Sequence, residues 1–177
     1  EFKIKVSSNE EARTLTIIDN GIGMDREDLI SNIETIAKSG TQGFMSKLTG
    51  DKDKDLQMIG QFGVGFYSGF MVANEIEVVS RKAGEKDAWQ WKSKGDGEYT
   101  IKKLEKSDLE RGVSVTLHLK DGEDEFLDKF RLRHIVKTYS DHISFPIEFI
   151  TPEGEVEVLN SISSIWMRPK NEITLEQ

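Results

Sequence analysis

The sequence predicts an α+β two-layer sandwich, a mostly antiparallel sheet with helices on one face. Three observations predict it. Strand-like runs dominate the chain, as in the alternation of Phe2, Ile4 and Val6 with polar residues. Short turns such as AGEKD, GDGE and SDLERG join most of them. Helical spacing appears in only a few places, chiefly after Asp25 and after Glu125.

In chain order, the first strand turns at NEEA and returns over Leu15 to Ile18 as a hairpin. Asp25 is placed to cap a helix, with Asp28 three residues on as a shortened capping box. Leu29, Ile30, Ile33, Ile36 and Ala37 then fall on one face, and Gly40 can end that helix. Residues 40–58 carry glycines and the charge run DKDKD, which reads as a long mobile segment. IGQFGVGFYSGFMVA is a glycine-rich loop leading into a short helix that starts near Phe66. Strands follow at Ile76 to Ser80, Trp89 to Lys92, Tyr99 to Lys102 and Val113 to Leu119. A helix from Glu125 shows Phe126, Leu127, Phe130, Ile135, Val136 and Tyr139 near helical spacing, and Pro146 marks its end. Ile147 to Ile150 and Val156 to Leu159 form the last hairpin. With 177 residues the chain is long enough for one sizeable core. Residues 1–160 are read as that domain, and 161–177 as the start of a connection to another.

Composition excludes several classes of function. The formal net charge is -8, so the domain repels a phosphate backbone and nucleic acid is not an expected partner. No apolar stretch is long enough for a membrane span, and no signal peptide is visible at the start. The chain has no cysteine, which removes disulfides and thiolate metal sites and fits a reducing compartment such as the cytoplasm. His118, His134 and His142 lack metal-ligand spacing. The acid-rich stretch Glu123 to Asp128 suits a helix N-terminus. Trp89 and Trp91 share one strand face and read as packing.

Chemistry points to two glycine elements. In TLTIIDNGIGMDREDL, an apolar strand ends in Asp19, and Gly21 and Gly23 follow. A carboxylate at a strand end suits a ligand that donates a hydrogen bond, such as the exocyclic amine of adenine. Glycines allow positive φ and leave the backbone bare for a flat ring, and Met24 offers soft polarizable surface beside it. The spacing alone reads equally well as a strand, a turn and a capped helix. Gly60, Gly63 and Gly65 form G-x-x-G-x-G before the next helix, where successive N–H groups can make an anion site. This is neither a Walker A loop nor a dinucleotide fingerprint. A base held deep with its phosphates under a lid is the pocket the two elements imply together.

DNGIGM, TIAKSGT and IGQFGVGFYS, in this order and at these separations, resemble the N-terminal nucleotide domain of the ninety-kilodalton heat-shock protein (heat shock protein 90) chaperones. The resemblance runs through GEDEFLD, YSDHISFPI and IWMRPKNEIT, and the short junction resembles the bacterial type. It implies a split-ATPase, Bergerat-type fold and an ATP-binding domain whose lid, roughly Gly40 to Gly60, closes on nucleotide. It further implies ATP or ADP as ligand, Mg2+ in the intact protein, client proteins as partners and a homodimer. By the same resemblance Asp19 holds the adenine amine, Gly23 supports it through a water, and Met24 lines the base. Asn32 and Lys38 face the sugar and phosphates. Gly63, Val64, Gly65 and Phe66 offer backbone N–H groups.

Two departures accompany the resemblance. The family's first motif, with its general-base glutamate and magnesium asparagine, is expected to precede residue 1, so no catalytic residue and no metal ligand is assigned here and no turnover is expected of this chain alone. Val113 stands where the family places a threonine, and strand alternation is expected to turn Ser114 to the other face. Other split ATPases, a histidine kinase or a DNA-repair ATPase, and a binding-only fragment are the competing readings.

Overall fold

A computed structural model of the chain describes residues 1–34 and 64–161. The strands are β1 (Ile4–Asn9), β2 (Thr14–Asp19), β3 (Ala73–Arg81), β4 (Ala88–Ser93), β5 (Tyr99–Leu104), β6 (Gly112–Leu119), β7 (Ile147–Ile150) and β8 (Val156–Val158). They form one sheet in the order β5-β4-β3-β6-β2-β1-β7-β8. Every neighbouring pair is antiparallel except β1 with β7. That exception needs a long crossover, and α3 (Lys129–Tyr139) lies within it.

Period-two alternation decides which side of the sheet becomes the core. Val6, Leu15, Ile76, Val78, Trp91, Leu117 and Phe149 are buried together on one face. Leu29, Ile33, Phe66, Leu127 and Leu132 from the helical segments pack on that same face, so the helices form a single layer. The opposite face is polar: Lys92 pairs with Glu77 and Glu75, and the Thr16 and Thr116 hydroxyls meet across β2 and β6. Trp91 is buried and Trp89 packs against the core, so both tryptophans serve packing.

The helices depart from the predicted pattern in instructive ways. α1 (Arg26–Leu29) carries a full capping box: Asp25 accepts from the Asp28 N–H, and Asp28 accepts from the Asp25 N–H. The chain then widens into a π-helical turn at Ile30–Glu34 rather than continuing as α-helix. The predicted end at Gly40, the lid at 40–60 and the glycines Gly60 and Gly63 lie outside the described residues. Glu125 does not start the late helix. Asp124–Phe126 forms a 3-10 turn, and α3 begins after Asp128, whose side chain accepts the Arg131 N–H. This shift of start turns the helix. Phe130 and Tyr139 stand out in solvent at 77% and 73% exposure, and Leu132 is the buried residue instead.

Candidate functional site

Asp19 ends β2 on the core face of the sheet, in register with Val113 on β6 and Ile4 on β1. Its Oδ1 accepts the Gly21 N–H at 2.8 Å, an Asx turn that fixes the carboxylate as the chain leaves the strand. Its second oxygen takes no hydrogen bond from the other described residues. A Cβ on Gly21 would sit 2.8 Å from that bonded oxygen. The carboxylate borders a cavity of about 360 Å³ with Phe2, Ile4, Gly21, Ile22 and Phe145. A larger cavity, about 570 Å³, also touches Asp19 but lies on the sheet's other face among Lys5, Ile18, Val79 and Ser114. Asp19 borders both cavities, whereas Gly23, Met24, Asn32 and Phe66 line neither.

The turn after Asp19 is pressed against two other segments. Gly23 has φ 67°, and a Cβ there would lie 1.9 Å from the Arg81 carbonyl oxygen. Only glycine combines that φ with that approach. Gly112, at the start of β6, has φ 104° and would place a Cβ 2.1 Å from the Asp19 carbonyl oxygen. The Met24 N–H donates to Ser80 Oγ at 2.7 Å, and Ser80 Oγ donates to the Gly112 carbonyl at 3.0 Å. The Ala83 N–H donates to the Ile22 carbonyl at 2.7 Å, closing the turn onto the end of β3.

Charge holds α1 in the same place. Lys82 Nζ lies 2.6 Å from Asp25 Oδ2 and 2.7 Å from Asp28 Oδ2. The Lys82 ammonium, and after it the Asp28 N–H, keeps the Asp25 carboxyl below its ordinary range. The Asp25 and Asp28 carboxylates hold the Lys82 ammonium charged well above its ordinary range.

The other predicted site residues divide into two groups. Met24 packs against the core, and Asn32 approaches it, with Nδ2 4.0 Å from Met24 Sδ. Val64, Gly65 and Phe66 open α2 (Val64–Ser68), where first-turn N–H groups have no partner within the helix. The Phe66 ring meets Trp91 edge-on at 5.6 Å. Tyr67 donates its hydroxyl to the Ile33 carbonyl, which ties α2 to the turn that carries Asn32. Thus Asp19, Gly23, Met24, Asn32 and the start of α2 lie on one side of the sheet. Lys38 and Gly63 lie outside the described residues. Val113 packs toward the core, whereas Ser114 lies among the residues of the other face's cavity. No group of three His, Asp or Glu could hold a metal ion among the described residues.

Ser80, Gly112 and Lys82 were not found by sequence reasoning. Ser80 had a signal: it stands where the alternation of Ile76 and Val78 calls for another inward apolar residue. Gly112 had a weaker one, a glycine where a turn enters a strand. Lys82 had none, because its partners are distant in the chain.

The family profile described as "Histidine kinase-, DNA gyrase B-, and HSP90-like ATPase" matches residues 1–122. The whole chain is 55% identical over 179 residues to chaperone protein HtpG of Wolbachia pipientis wMel and covers 28% of that protein. It is 55% identical over 177 residues to HtpG of Paramagnetospirillum magneticum, again covering 28%. Against HtpG of Chromobacterium violaceum the identity is 49% over 188 residues and the coverage 30% of that protein. The chain therefore spans under a third of the length of these relatives.

Proposed function

This chain belongs to the histidine kinase-, DNA gyrase B- and HSP90-like ATPase family, and we propose that it is the ATP-binding domain of a chaperone of the bacterial ninety-kilodalton heat-shock type. The observation that carries this reading is the Asp19 carboxylate. One oxygen is spent on the turn, and the other takes no hydrogen bond from the other described residues and stands beside glycines pressed tightly against the neighbouring backbone. A carboxylate so placed accepts, and the adenine amine donates. The curated relatives named above are chaperones rather than kinases or repair proteins.

In this reading Asp19 selects the base, Gly23 backs it and Met24 lines it. Asn32 and Lys38 face the sugar and phosphates, and the N–H groups of Gly63, Val64, Gly65 and Phe66 face the phosphate oxygens. Magnesium accompanies ATP through the phosphates; the described residues contain no ligand cluster for it, and none is assigned here. Closure of the 40–60 segment over nucleotide, coupling to client proteins, homodimerisation and a cytoplasmic location complete the proposal for the whole protein.

Base selectivity tests it. Guanine carries a carbonyl where adenine carries the amine, so Asp19 would face an acceptor with an acceptor. Calorimetry should show ADP binding, with GDP about tenfold to a hundredfold weaker. Equal affinity for the two bases overturns the assignment of Asp19.

A further inference from the structure

Ser80 is fully buried on the core face of β3, in line with Ile76 and Val78. An apolar side chain at that position would continue the pattern. A buried hydroxyl is unfavourable unless it is hydrogen-bonded, and this one is bonded twice. Both bonds leave the strand. One is accepted from the N–H of Met24, which follows the turn that carries Gly21 and Gly23. The other is donated to the carbonyl of Gly112, the residue whose missing side chain lets β6 come up against Asp19. Across the sheet, Ser80 is in register with Val113, and Val113 with Asp19. The hydroxyl therefore joins the three segments that surround the carboxylate.

We propose that Ser80 is a positioning residue of the nucleotide site: its hydroxyl locks the Gly23–Met24 turn onto the start of β6, and this sets where the base lies relative to Asp19. Ser80 acts through Met24 and Gly112 and need not touch the ligand. Without the hydroxyl, the Met24 N–H loses its acceptor and the Gly112 carbonyl loses a donor, while the apolar neighbours Ile76 and Val78 keep their places. Among the described residues, the turn would then keep the tight Gly23–Arg81 approach, the Gly21–Asp19 and Ala83–Ile22 bonds and the Lys82 ion pairs.

The inference rests on the reading of Asp19 as an adenine partner, so its test has one readout without nucleotide and one with it. In nucleotide-free protein, Ser80→Ala should speed hydrogen exchange at the Met24 amide by about tenfold or more, because that amide loses its acceptor among the described residues, while the amides shared by β4 and β5 keep their rates. In the same variant ADP affinity should fall by about tenfold. Ser80→Thr, which keeps the hydroxyl, should restore both. If the alanine variant does not fold, Ser80→Cys, of similar volume but a weak acceptor, is read in its place for the same two quantities. Unchanged exchange at Met24, or unchanged ADP affinity with faster exchange, overturns the positioning role. Faster Met24 exchange in Ser80→Ala, together with wild-type protein that binds no ADP, overturns the nucleotide reading and leaves the lock itself demonstrated.

Discussion

Two corners of this molecule are built around a buried polar side chain, and they differ in what they leave over. Where the 143–146 turn enters β7, Asn160 accepts the Ile147 N–H and donates to the Ile143 and Phe145 carbonyls. Every bond it makes goes to its own backbone surroundings, and the corner closes on itself. At the β2–α1 corner, Ser80 is likewise satisfied, but Asp19, two strands across the sheet, is not: one of its oxygens has no partner among the other described residues. Both corners use short polar links to hold backbone where a strand meets a turn. Only the second leaves a charged acceptor open beside side-chain-free backbone. That difference separates a structural corner from a binding one, and it can be tested residue by residue.

Glycine substitution should give the largest effect. Gly23→Ala imposes a left-handed conformation on alanine, about 1–2 kcal/mol, and drives its Cβ into the Arg81 carbonyl oxygen, a clash that backbone movement alone can relieve. Gly154, in the β7–β8 turn at the far end of β7 from the other corner, has φ 85° with nothing within 4 Å of an added Cβ. Gly154→Ala should cost only the conformational part. Denaturant unfolding should therefore show a clearly larger loss for Gly23→Ala, with nucleotide binding lost as well. Equal losses would mean that the Gly23 approach is not as tight as the geometry requires.

Asp19→Asn should come next, and on binding rather than stability. Removing the charge and half the acceptor capacity should weaken ADP by about 1.5–3 kcal/mol, a factor of ten or more. The unfolding midpoint should barely move, because the Gly21 bond survives on the amide oxygen. Calorimetry beside thermal unfolding measures both. Asn160→Ala should do the reverse. It strands the Ile147 N–H and two carbonyls, a loss of about 1–3 kcal/mol in stability, with ADP affinity unchanged. A variant at Asn160 that weakened binding as much as one at Asp19 would erase the distinction between the corners.

The smallest effect should appear with pH at the Lys82–Asp25 anchor. The Asp25 carboxyl sits below its ordinary value of 3.8, held there first by the Lys82 ammonium. Its stabilisation is therefore complete above pH 3.8 and is lost as pH falls through the lower folded value. Lys82 is shifted the other way, so its share is complete below its ordinary value of 10.5 and is lost only as pH rises past the folded one. Lys82→Met should flatten the acid limb of the stability profile below pH 3.8 and leave neutral-pH stability little changed, since a half-buried pair that still reaches solvent is screened and contributes little. An acid limb of unchanged steepness would show that the pair does not anchor α1.

Much of the fold was legible because its signals are local. Alternation marked each strand, and the Asp25 and Asp28 spacing marked the capping box. The acid before two glycines marked the turn that now carries the candidate site, and alternation also separated Val113 from Ser114. The late helix was misread for a local reason too. An apolar residue count cannot tell a 3-10 turn from the first turn of an α-helix, and the resulting shift replaced Phe130 with Leu132 on the buried side.

What the sequence by itself determined, then, was the set of elements and the one acid whose setting is chemical. Tertiary structure alone decided the rest. The parallel pairing of β1 with β7 joins segments about as distant as the chain allows, and no local pattern encodes it. Alternation marks Ser80 as a polar residue at an inward position, but its partners are set only when folding brings Met24 to its hydroxyl from 56 positions away and Gly112 from 32. The reason is physical. Strand and helix periodicity are written in neighbouring residues, because one backbone geometry sets both the spacing and the face. A hydrogen bond between distant segments has no such local record, because its partners meet only once the sheet has assembled.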